Sequence, residues 1–122
     1  MFRTLTRSVV AFVFVAALTV SAPAISAAGQ YLVLNFVDTV SAFSTDGWTH
    51  YVRAGYHRLE VQGDRDTDLD CVVVDQFGNT LGSDRDETDY CIVTWHQSTD
   101  RQVSFHIENL GPVYNRYAFR LW

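Results

Sequence analysis

The sequence contains no lysine: all nine of its basic residues are arginines, set against fourteen acidic ones. Proline and cysteine occur twice each in 122 residues. The one long apolar stretch, residues 9–20, falls short of the ~20 residues that a bilayer-spanning helix needs. These shortages close off several classes of function. With a net charge of −5, the chain lacks the clustered positive charge that phosphate backbones and anionic lipid surfaces require. It has no phosphate-binding loop and no Gly-x-Ser-x-Gly elbow. The four histidines, His50, His57, His96 and His106, lack the paired spacing of a zinc site. Helical periodicity is nearly absent after Ala28.

The N-terminus has the pattern of a secretory leader. Arg3 and Arg7 precede the apolar stretch, and Pro23 opens a run of small residues with Ser26 and Ala28 at the cleavage positions. The expected division is a helical signal peptide over 1–28, removed after Ala28, and one domain over 29–122. The alternative is an uncleaved anchor. Loss of Arg3 and Arg7 takes the net charge from −5 to −7. The remaining 94 residues suffice for one modest core. Export places the chain outside the cytoplasm, secreted or periplasmic. It also favours a disulfide between Cys71 and Cys91 over two buried thiols.

Short alternating segments separated by turn residues dominate the rest. Strands are expected at 31–36, 48–53, 58–62, 69–75, 80–83, 90–96, 103–108 and 116–121. In the third, Leu59 and Val61 face one way while Arg58, Glu60 and Gln62 face the other. About eight short antiparallel strands at regular spacing indicate an all-β sandwich or barrel. Most aromatic residues fall on the inward face. Trp48, Tyr51, Tyr114 and Trp122 do not, and are the candidate binding aromatics.

Two acidic stretches, 63–70 and 82–90, each lead into one of the cysteines. The chain turns once between the two cysteine strands at Gly78-Asn79 and once more at the second acidic stretch, so both strands begin at the same end. One acidic pole is expected, with the disulfide just inside it joining the two sheets. Calcium prefers several carboxylate oxygens on flexible loops, which makes Asp66, Asp68, Asp70 and Asp89 candidate ligands. Two solvated turns rich in Asp and Gly are the simpler reading.

Residues 59–61 and the segment Asp66-Thr67-Asp68-Leu69-Asp70-Cys71, followed by Val72-Val73-Val74 and Asp75-Gln76-Phe77-Gly78-Asn79, resemble the bacterial pre-peptidase C-terminal domain. Residues 103–109 and 117–121 resemble its last two strands. The resemblance implies a jelly-roll-like β-sandwich, of a kind usually appended to secreted enzymes. Some members bind collagen or other polymers, and some bind calcium. Cys71 stands where the family usually has an apolar residue.

The expected function is a non-catalytic binding or accessory module, contacting an extracellular polymer such as a polysaccharide, or a protein, through an exposed sheet face. It is expected to be monomeric, without nucleic-acid or membrane partners once the leader is removed. The alternatives are an inhibitor or effector acting on another enzyme and, last, a small hydrolase.

Overall fold

The computed structural model describes Phe2–Thr4 and residues 31–122. Nine strands are present there: β1 (Phe2–Thr4), β2 (Leu34–Val40), β3 (Thr45–Val52), β4 (Gly55–Gln62), β5 (Leu69–Asp75), β6 (Thr80–Asp84), β7 (Tyr90–Gln97), β8 (Arg101–Asn109) and β9 (Asn115–Leu121). No helix occurs among the described residues. The leader expected over 1–28, helix included, lies outside them except for β1. That segment pairs in parallel with β3, Phe2 opposite Gly47 and Thr4 opposite Thr49.

One sheet has the order β1-β3-β8-β5-β6 and the other β2-β9-β4-β7. Apart from β1, all pairings are antiparallel. Consecutive strands β2 and β3, β4 and β5, and β6 and β7 lie in different sheets, so the chain crosses the sandwich repeatedly in the manner of a jelly roll. All eight expected strands are present. The first begins three residues late and runs on to Val40, because Asn35, Val37 and Thr39 alternate outward against the buried Leu34 and Val40.

Alternation builds the core. Leu59 and Val61 of β4, Val73 of β5, Phe105 and Ile107 of β8, and Phe119 and Leu121 of β9 are all fully buried. Each such side chain contributes ~1.5–3 kcal/mol relative to exposure. Phe119 stacks on Phe36 at 4.7 Å and meets Phe105 edge-on at 5.3 Å, which joins the sheets through their aromatic rings.

A polar strut also crosses the interior. Tyr117 on β9 donates its hydroxyl proton to Asp46 at 2.8 Å and accepts the indole N–H of Trp48 at 2.7 Å. Both partners belong to β3 in the opposite sheet. Burial holds the phenol well above its usual pKa, so it remains a donor.

The turn after β5 is organised by Asp75. Its carboxylate accepts the amide N–H groups of Phe77 and Asn79 and the side-chain amide of Asn79, and it pairs with Arg101 at 3.3 Å. Burial opposes ionisation, but these donors outweigh it and hold the carboxyl below the ordinary range. Gly78 supplies the left-handed residue, φ 85°, that closes the turn. This network is what the segment Asp75-Gln76-Phe77-Gly78-Asn79 builds. Gly82 lets β6 and β7 approach, since a Cβ there would meet Val93 at 2.6 Å.

Candidate interaction face on the second sheet

The outer face of β4, β7 and β9 gathers aromatic and arginine side chains. In β4, His57, Leu59 and Val61 turn inward, so Tyr56, Arg58, Glu60 and Gln62 turn outward. Register then dictates the neighbours. Tyr56 lies opposite His96 of β7, and their rings stand 4.6 Å apart. Glu60 lies opposite Ile92 on one side and Arg120 on the other. Its carboxylate accepts hydrogen bonds from both Arg58 and Arg120, each at 3.1 Å. The Arg58 guanidinium sits 5.6 Å from the centre of the Trp122 ring.

Trp122 is fixed from behind. Its amide donates to the Arg58 carbonyl at 2.9 Å, and its carbonyl accepts from the Arg58 amide at 3.1 Å. The buried His57 ring lies within hydrogen-bonding distance of the Trp122 and Arg53 carbonyls, at 3.0 and 2.7 Å. Tyr56 is 76% exposed, and Ile92 and His96 are exposed beside it. Two arginines around one glutamate make this face locally positive on an acidic chain. Arg58, Glu60 and Arg120 are held by one another, which suits surface recognition better than proton transfer.

The four aromatics expected to bind do not share a surface. Trp122 belongs to this face. Tyr51 is exposed on β3 in the other sheet, and Tyr114 is exposed in the turn before β9. Trp48 is half-buried: its indole is committed to Tyr117 and its ring stands edge-on to Phe36 at 5.0 Å. It is a strut between sheets. Tyr56, the most exposed aromatic of the face, lies outside the strand expected from the sequence, which begins at Arg58, whereas β4 begins at Gly55. Carrying the Arg58, Glu60, Gln62 alternation back one step places Tyr56 among them.

The acidic stretches meet at one end, as strand direction implies. The Gly63 amide donates to the Asp89 carbonyl at 2.8 Å, and the Leu69 amide to that of Thr88 at 3.1 Å. Just inside, Cys71 of β5 and Cys91 of β7 form a disulfide with Cα atoms 6.2 Å apart, linking one sheet to the other.

The candidate calcium ligands do not converge there. Asp89 accepts the Arg65 amide, Asp70 pairs with Arg85 at 3.3 Å, and the Asp66 amide donates to Asp64. Among the described residues, no group of three or more His, Cys, Asp or Glu side chains is placed to hold a metal ion. Asp68 Oδ1 and Asp70 Oδ1 are buried without hydrogen-bond partners. Burial, then the charges of Asp70, Asp86 and Glu87, raise the Asp68 pKa.

In fold, the chain is similar to a pre-peptidase C-terminal domain. That of a Bacillus anthracis collagenase superposes with a TM-score of 0.59 over 73% of this chain and 90% of its own, at 12% identity. The Yersinia pseudotuberculosis-derived mitogen reaches 0.57 over 72% and 82%, at 10% identity. PliG of Aeromonas hydrophila, a periplasmic inhibitor of g-type lysozyme, reaches 0.55 over 79% and 89%, at 9% identity. No protein-family model and no curated protein matches the sequence. At these identities the likeness is one of fold. No helix among the described residues is long and apolar enough to cross a membrane.

Proposed function

We propose that the chain is a non-catalytic binding module acting outside the cytoplasm, and that it grips a protein partner through the outer face of β4, β7 and β9. The carrying observation is the exposed Tyr56–His96 pair, positioned by strand register, beside the half-buried Arg58–Trp122 pair, positioned by its backbone hydrogen bonds. Aromatic residues and arginine carry most hot-spot energy in protein interfaces, and ordering them in advance lowers the entropy lost on binding. The leader pattern at 1–28 supports action after export. The sandwich is also similar in fold to the pre-peptidase C-terminal domain of a collagenase and to a periplasmic lysozyme inhibitor.

The test is affinity capture from the producer's extracellular fluid with wild-type protein and the double variant Tyr56→Ser/Trp122→Ala. The wild type is expected to retain one protein in stoichiometric amount, and the variant to lose it. Equal retention by both, or retention only on insoluble collagen, chitin or cellulose, contradicts the reading.

A second reading, inhibition of another enzyme, is favoured by the exposed apolar side chains of the loops at the acidic end.

A further inference from the structure

We propose that the acidic end of the sandwich is a separate docking surface for a basic protein, anchored by Phe43. Four connections meet at this end: 41–44, 63–68, 85–89 and 110–114. They expose four large apolar side chains, Phe43, Leu110, Val113 and Tyr114, with Phe43 at 71% and Tyr114 at 61%.

These loops are tied together. The Phe43 amide donates to the Gly111 carbonyl at 3.0 Å, and the Leu110 amide to that of Asp68 at 3.0 Å. The Asn109 side-chain amide donates to the carbonyls of Val113 at 2.8 Å and Ser41 at 3.2 Å. Gly111 packs directly under Thr67, leaving no room for a Cβ. An apolar patch built on bonded loops needs little reordering when it docks. Phe43 itself is held at φ 49°, a conformation in which a bulky residue is strained and Asn is tolerated.

Charge identifies the partner. Asp64, Asp66, Asp84, Asp86, Glu87 and Asp89 border the patch on two of the four loops and the strand end between them. Three arginines stand at this end against these six carboxylates, Arg65, Arg85 and Arg116, and Arg85 is engaged by Asp70 at 3.3 Å and Glu108 at 3.8 Å. An apolar centre with an anionic border complements a protein surface with an apolar contact ringed by Arg and Lys. It repels polyanions and anionic lipid. The inference is independent of the sheet-face reading, since that face is locally positive and lies on the side of the sandwich.

The test titrates the purified chain against immobilised cytochrome c, a strongly basic globular protein, and against its succinylated form. Binding to the first and not the second is expected, weakening about tenfold between roughly 20 and 200 mM salt. The pair Asp66→Asn/Glu87→Gln should weaken it about tenfold, while Asp38→Asn/Asp100→Asn, an equal charge change elsewhere, leaves it within about twofold. Phe43→Asn keeps the left-handed backbone, removes the ring, and should weaken binding about fivefold without lowering the melting temperature. Equal weakening by the two charge pairs, wild-type binding by Phe43→Asn, or no binding to cytochrome c overturns the proposal.

Discussion

Arg58 and Trp122 are joined three times: each backbone amide donates to the other's carbonyl, at 3.1 and 2.9 Å, and the guanidinium lies 5.6 Å from the indole centre. The backbone pair sets the position of the ring, and the ring in turn orients the guanidinium toward Glu60. A double-mutant cycle of Arg58→Ala and Trp122→Ala, read by urea denaturation, is expected to give a coupling of about 0.5–1 kcal/mol. A coupling near zero would mean that the two side chains do not sense each other in solution.

The Tyr117 hydroxyl links Asp46 and Trp48 of one sheet to β9 of the other. Tyr117→Phe leaves the buried Asp46 carboxylate short of a donor, and is expected to cost about 2 kcal/mol. The loss should appear in stability with little change in binding, because none of the three residues lies on the β4–β7–β9 face. An equal loss of both properties would place the strut in the recognition surface.

The disulfide closes a separation of 20 residues between two buried cysteines. Cys71→Ser/Cys91→Ser should lower stability by about 3 kcal/mol in the chain-entropy account, with a larger denaturant slope from a more open unfolded chain. In the intact protein the bond should resist mild reductant until the sandwich opens.

Asp68 at the acidic end and Asp75 at the opposite end of β5 should show opposing pH signatures. The Asp68 pKa is raised in the folded protein, mainly by burial and then by neighbouring carboxylates. Its favourable contribution is therefore present below the unfolded pKa and is lost as pH rises through the folded value. Asp68→Asn should raise the melting temperature at neutral pH and change it little near pH 3. Asp75 behaves oppositely: its folded pKa is lowered, so its contribution is present above the unfolded pKa and fades as pH falls through the folded value. Asp75→Asn should therefore destabilise at neutral pH. Because no three ligating side chains converge among the described residues, melting curves in EDTA and in millimolar calcium are expected to coincide.

Much of the architecture is legible in the sequence because it depends on local rules. Leu59, Val61, Phe105 and Phe119 alternate with polar neighbours, and that period alone assigns strand and inward face. The acidic end and its inter-sheet disulfide follow from counting turns between Cys71 and Cys91. The surface is harder to read, because it depends on which strands become neighbours. Trp48 breaks the inward pattern expected for its strand, yet it turns to Tyr117, a residue 69 positions away that no local pattern reveals. Tyr56 acquires its role from His96, 40 residues on, through cross-strand register. Phe43 sits in a turn whose left-handed backbone usually calls for Gly or Asn, so its projection is visible only in three dimensions. Of the carboxylates grouped by spacing as calcium ligands, Asp89 accepts a loop amide and Asp70 pairs with Arg85, commitments that spacing alone does not reveal.

The central claim, that the β4–β7–β9 face grips a protein, is tested most directly by hydroxyl-radical footprinting of the captured complex. Tyr56, His96 and Trp122 are expected to lose most of their reactivity when the partner is bound, while Tyr51 on the opposite sheet keeps its own. Unchanged reactivity at Tyr56 and Trp122 in a stoichiometric complex would contradict the account.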